Sequence, residues 1–206
     1  MVNEQPVNAS SSRKAAKEAV RARILEVALS LFADRGFDGT SVRQIAARVG
    51  VSHGLLYAHF QSKTDLLRAL MALTVRDVNQ SLAAGSGGGP PAQRLQHLTA
   101  EGARLVREHL EFWRLTYAIR MQPAVLKVMI PWFGQWRGAV LEQLEALFEE
   151  AGFSDPGAEA SLFFASLDGV CQHFALDPEH YPLEERTRAL AALWEARMPS
   201  EQPRSP

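Results

Sequence analysis

Between Thr40 and Leu67 the sequence TSVRQIAARVGVSHGLLYAHFQSKTDLL opens three helices in close succession, each behind a serine. Ser41 and Gln44 have the spacing of a capping box, and Val42, Ile45, Ala46 and Val49 recur as the inward side of the short helix that follows. Gly50-Val51 turns the chain, with glycine supplying the sharp bend. Ser52 then caps a third helix carrying Leu55, Leu56 and Phe60, and Ser62 with Asp65 caps a fourth carrying Leu66, Leu67, Leu70, Leu73 and Val78. Two short helices joined by a tight glycine turn, with Ala46 and Ala47 small where they approach, form a helix-turn-helix pattern.

The rest of the chain is helical as well. Residues 1–12 lack periodicity and read as disordered. From Arg13 a first helix begins, with Val20, Ile24, Val27, Ala28, Leu31 and Phe32 as one apolar stripe, and Gly36 is placed to end it in the left-handed conformation. Gly85-Ser86-Gly87-Gly88-Gly89-Pro90-Pro91 is the strongest break. Beyond it, Leu95, Leu98, Leu105 and Val106 mark a fifth helix, and Phe112 to Ile119 a sixth that stops before Pro123. Residues 124–150 form a seventh that Pro131 must kink or restart. Asp155 as cap and Pro156 at the first helical position open an eighth, which Asp177-Pro178 closes, and a ninth spans about Leu183 to Arg197. No strand pattern and no internal repeat appears. The expected fold class is all-α.

Charge divides along the same line. Residues 1–68 hold ten Lys/Arg against six Asp/Glu, while the remainder holds twelve against seventeen, although the whole chain carries only −1. A basic head on an acidic body can face a polyanion without making the entire protein adhesive. The single cysteine, Cys171, excludes an intramolecular disulfide and a cysteine-rich zinc site. Cys171-Gln172-His173 does not amend that, because residues two apart on a helix diverge. With no apolar signal segment and no uninterrupted span of about 18 apolar residues, a cytoplasmic protein without a membrane segment is expected. No phosphate loop, nucleophile elbow or pair of catalytic carboxylates appears, so neither catalysis nor a cofactor is expected.

The exposed positions of the motif suit nucleic acid. Thr40, Ser41 and Ser52 place hydroxyls and free N–H groups at helix starts, which attract phosphate. Gly54 has no side chain to hold the backbone away from a duplex, and Arg43, His53, Tyr57, His59 and Lys63 supply donors. Tyr57 can present either its whole ring or only its hydroxyl, the ring packing in the core; His59 is either a phosphate donor or a solvated surface residue. Upstream, Arg13, Lys14, Lys17 and Arg21 read either as a basic arm or as a solvated face.

Taken together, ILEVALSLFADRGFDGTSV, IAARVGVSHGLLYAHFQSK and TDLL resemble the DNA-binding domain of the TetR family of bacterial regulators over about residues 20–70. Val49 stands where alanine is commoner. The resemblance implies that Arg43 and the helix at 52–59 meet bases and phosphates, with Tyr57 and Lys63 on the backbone of double-stranded DNA. It implies a flexible basic arm over 1–17, a DNA-binding domain over 18–64, an effector-binding and dimerisation domain over 65–198, and a flexible tail over 199–206. SLDGVCQHFALDP, residues 166–178, resembles the eighth helix of many members. Its implication is a homodimer in which the eighth and ninth helices form a four-helix bundle, with Leu162, Phe163, Val170, Leu190, Leu193 and Trp194 as seam candidates. The fourth helix, Ser62 to about Leu82, is then the lever between ligand and DNA.

All four tryptophans lie beyond the motif. Trp113, Trp132 and Trp136, with Phe112, Tyr117, Met121, Met129, Phe133 and Phe164, line either an apolar ligand pocket or ordinary core. Asp168, mid-helix between Leu167 and Val170, requires a partner: a ligand, the second subunit, or solvent, with the subunit interface preferred. The expected function is a DNA-binding repressor released by a small apolar or aromatic molecule. An architectural DNA-binding protein whose aromatic set is solid core, and a ligand-processing enzyme that keeps the head as scaffold, are the competing readings.

Overall fold

The computed structural model describes residues 8–85, 88–120 and 122–199. Among these, nine helices run in order: α1 Asn8–Arg35, α2 Val42–Val49, α3 His53–His59, α4 Lys63–Gly85, α5 Pro91–Glu108, α6 Leu110–Ile119, α7 Pro123–Glu150, α8 Pro156–Leu176 and α9 Leu183–Glu195. No strand occurs among the described residues, so the all-α expectation holds. The chain divides into two compact units between Ala72 and Leu73, inside α4.

In the first unit, α1 packs on α2 and α2 on α3. The stripe of α1 is buried as Ile24, Leu25, Val27, Ala28, Leu31 and Phe32, and Ile45, Ala46, Leu56 and Phe60 of the elements that follow are buried as well. Gly36 ends α1 at φ 76°, and its N–H donates to the Phe32 carbonyl at 3.0 Å. That left-handed geometry admits glycine without a Cβ penalty. Helix α1 begins at Asn8, however, so the reading of residues 8–12 as disordered and of 8–17 as a flexible arm is corrected: the run Arg13-Lys14-Ala15-Ala16-Lys17-Glu18 consists of good helix formers, and the helix they make carries on back through Asn8-Ala9-Ser10-Ser11-Ser12 for more than a turn. Residues 1–7 lie outside the described part.

In the second unit, α8 packs against α5, α6, α7 and α9, and α5 also lies along α9. Leu95, Leu98, Leu144, Phe148, Phe163, Leu190 and Trp194 form one core, while Ala103, Val106, Cys171, Phe174 and Leu183 form a second. Helix α7 runs through Pro131 without a break, so the proline costs it an N–H but does not end it. Asp155 caps α8 by accepting from the Ala158 N–H at 3.0 Å, with Pro156 opening the first turn. No described helix is long and apolar enough to cross a membrane.

Candidate functional sites

The helix-turn-helix is assembled by local hydrogen bonds. Ser41 Oγ accepts from the Gln44 N–H at 3.2 Å while Gln44 Oε1 accepts from the Ser41 N–H at 2.7 Å, a reciprocal capping box. Gly50 takes φ 81°, and its N–H reaches the Ala46 carbonyl at 3.0 Å. Ser52 Oγ then accepts from the Leu55 N–H at 3.1 Å and starts α3. Only Leu56 of α3 is buried; Ser52, His53 and Gly54 at its start are exposed. A Cβ built on Gly54 would meet nothing within 4 Å. The glycine is therefore not required by the packing of its own chain.

Tyr57 is 44% exposed and stands edge-on to His53, ring centroids 4.8 Å apart, so its ring is outside the core together with its hydroxyl. Arg43, Lys14 and Lys17 are exposed and His59 is half-buried. Arg21 lies with its guanidinium 5.0 Å from the Phe60 ring centroid, partly withdrawn from solvent. Leu55, read from the sequence as core, is 42% exposed beside Gly54 and adds an apolar group to this surface.

Two of the expected phosphate donors are engaged elsewhere. Thr40 is 1% exposed, and its Oγ donates to the Leu31 carbonyl at 3.1 Å or the Gly36 carbonyl at 3.0 Å. The hydroxyl ties the end of α1 to the start of α2 and is not available to a ligand. Lys63 Nζ donates to the carbonyls of Phe37 at 2.7 Å and Thr40 at 3.0 Å, and sits 4.4 Å from the Phe37 ring centroid. Two of its three donors thus serve the α1–α2 turn.

In the second unit the aromatic residues form connected contacts. Trp113 and Tyr117 are 5.9 Å apart between ring centroids, Phe133 and Trp136 5.2 Å, and Trp136 and Phe164 6.1 Å. Trp136 Nε1 also donates to Asn79 Oδ1 at 3.3 Å. Phe112 and Met129 are buried and Trp132 is half-buried; Met121 lies outside the described residues.

Asp168 finds its partner within its own chain, not across an interface. Its Oδ2 accepts from Arg120 Nη1 at 2.7 Å and its Oδ1 from Arg120 Nη2 at 3.0 Å, a fork-on-fork pair. The Tyr117 hydroxyl lies 3.4 Å from Asp168 Oδ1, and the guanidinium is 5.1 Å from the Tyr117 ring centroid and 5.9 Å from that of Phe133. Burial, then the neighbouring Asp168 charge, drives the Tyr117 hydroxyl far above its usual pKa and holds it protonated. The same two causes push the Cys171 thiol up to about 12, leaving it a protonated core group. Among the described residues no three of His, Cys, Asp or Glu gather as metal ligands.

Of the seam candidates, Leu162 and Leu193 are exposed, at 55% and 54%. Phe163, Leu190 and Trp194 are instead core: Phe163 and Trp194 meet edge-to-face at 5.4 Å, and Trp194 Nε1 donates to Glu159 Oε2 at 3.0 Å. These three are corrected from interface to interior. Val170 is half-buried against the second core.

The sequence profile of the bacterial regulatory proteins of the tetR family matches residues 24–70, the stretch that holds the motif. Over those residues the chain is similar to the TetR family. An HTH-type transcriptional repressor of Mycobacterium tuberculosis is 49% identical over 55 residues, 27% of this chain and 29% of that protein. The chain therefore spans less than a third of the length of this curated relative in the part that aligns. The transcriptional repressor DhaR of a Mycobacterium species, strain GP1, is 24% identical over 90% of this chain and 96% of its own. AibR, solved in complex with isovaleryl coenzyme A and operator DNA, shares the fold at a TM-score of 0.69 and 23% identity, covering 84% of this chain and 97% of AibR.

The residues that sequence reasoning missed are Arg120 and Leu55. The one sequence signal for Arg120 was the unpaired carboxylate of Asp168, which demanded a cation without saying where it lay. Leu55 had a helical apolar spacing that fits the core equally well.

Proposed function

We propose that this chain is a DNA-binding transcriptional regulator, a repressor by default, that acts in the cytoplasm as a homodimer on a pseudo-palindromic operator and is released by a small molecule held in the second unit. The observation that carries this reading is the exposed start of α3, where Ser52, His53 and Gly54 leave the helix end open. An α-helix enters the major groove, about 12 Å wide, and its first residues reach base edges. Arg43 on α2 supplies a guanidinium, and the exposed lysines of α1 supply charge for phosphates. Two relatives named as transcriptional repressors, and a neighbour of the same fold solved on operator DNA, support it. The dimer would place two such helices on half-sites about one helical turn, roughly 34 Å, apart or more.

The test begins with a duplex selected by the protein from a randomised pool, bound in fluorescence anisotropy. Affinity should fall steeply with salt. Arg43→Ala should weaken binding to the selected duplex by about 1–3 kcal/mol with the oligomeric state intact. Gly54→Ala isolates the approach of backbone to DNA. Nothing in the chain opposes a methyl group there, and alanine raises helix propensity by up to about 1 kcal/mol. Its melting temperature should hold or rise while duplex binding drops. Retention of no duplex at about 50 mM salt would overturn the proposal.

A further inference from the structure

Helix α3 reads HGLLYAH and so contains no Arg, Lys, Asn or Gln. Those are the side chains that hold a guanine or adenine edge through two hydrogen bonds, so α3 has no means of reading a purine in that way. What its outer side carries instead is apolar. Leu56, fully buried, fixes the inward direction of the helix. With 3.6 residues per turn, Gly54 and Ala58 lie four apart on the opposite side, and both are exposed. Leu55 flanks them, three residues before Ala58, and is 42% exposed. His53 and Tyr57 pair edge-on along the other flank, ring centroids 4.8 Å apart.

The result is a short apolar strip bordered by polar rings. Gly54 and Ala58 together project a single methyl group, so a partner surface can come close to the helix backbone. Leu55 reaches past them by an isobutyl group. Among the groups that base pairs present in the major groove, the C5 methyl of thymine is the apolar one, and the others are hydrogen-bond donors and acceptors.

We propose that Leu55 is a specificity-determining residue whose side chain packs on the C5 methyl of a thymine in each half-site, at the close approach that Gly54 and Ala58 allow. This rests on the reading of the first unit as DNA-binding and names the base that the unit selects.

The test uses the full chain and the duplex selected from the randomised pool, in fluorescence anisotropy at one salt concentration. Each thymine of a half-site is replaced in turn by deoxyuridine, which deletes the methyl and keeps the base pair. At one or two positions the replacement should weaken binding about threefold to fivefold, as expected for one buried methyl-sized group. Leu55→Ala should bind the original duplex about threefold to tenfold more weakly and should no longer distinguish thymine from uracil at those positions. Leu55→Met, apolar and of similar reach, should keep the distinction. Alanine is the better helix former, so α3 should persist in the variant. A structural defect would weaken both duplexes alike and leave their ratio unchanged, so the ratio isolates the contact. A selected half-site without thymine, the lack of any uracil-sensitive position, or a sensitivity undiminished in Leu55→Ala overturns the proposal, and the retained duplex then leaves the regulator reading standing. Retention of no duplex at about 50 mM salt sinks that reading, and the proposal with it.

Discussion

Lys63 stands at the meeting of α1, α2 and α4, with its charge directed at two main-chain carbonyls and its stem against Phe37. Hydrogen bonds from an ammonium to a carbonyl contribute about 1.5–3 kcal/mol when sheltered, and this one is half-buried. Lys63→Met preserves the stem and removes both bonds. The expected outcome is a loss of about 1.5–3 kcal/mol of stability in urea unfolding, with duplex affinity of the folded fraction reduced far less than by Arg43→Ala. Unchanged stability with weakened duplex binding would return Lys63 to the phosphate-contact role. The case also marks what single residues reveal in sequence. Ser41, Ser52 and Asp155 were legible as caps because each bonds a group three residues away. Lys63, 26 residues from Phe37, and Arg120, 48 residues from Asp168, act on partners that no local pattern names.

The turn between α1 and α2 shows the same limit at the level of an element. Gly36 announced itself, since a glycine after a helical stripe has one common use. Gly39 did not, yet a Cβ there would lie 2.3 Å from the Arg35 carbonyl oxygen, which is backbone and cannot move aside cheaply. Gly39→Ala should therefore cost about 1–3 kcal/mol and lower the melting temperature of the first unit, in contrast to Gly54→Ala. A thermal scan that finds the two variants equally stable would contradict this account of the turn. Helices whose apolar residues keep to one side, such as α2, gave up their inner face to inspection. Helix α8 did not: PGAEASLFFASLDGVCQHFAL is apolar nearly all round, so nothing in its pattern distinguishes buried Phe163 from exposed Leu162. Contacts with α7 and α9 decide that, and they are tertiary facts.

For the molecule as a whole, the proposed two-fold pairing turns on which apolar groups remain after each chain has built its own core. Phe163, Leu190 and Trp194 are spent there, while Leu162 and Leu193 are more than half exposed on α8 and α9. Burying an aliphatic side chain of this size contributes roughly 1.5–3 kcal/mol, so two from each chain supply a substantial part of a seam. A charge at each, by Leu162→Glu with Leu193→Glu, should abolish pairing without unfolding the chain, because neither side chain supports its own interior. Sedimentation velocity should then read a monomer, with a melting temperature lower only by the lost association. The duplex readout follows from linkage of two heads. With both on one particle, the second contact forms at an effective concentration that raises affinity about 10²–10⁴-fold, and the monomer forfeits that factor while each head keeps its own base contacts. A double variant that still sediments as a dimer would place the seam on other residues. One that becomes monomeric yet binds the selected duplex undiminished would mean that a single α3 carries the recognition, and the operator would then need only one half-site.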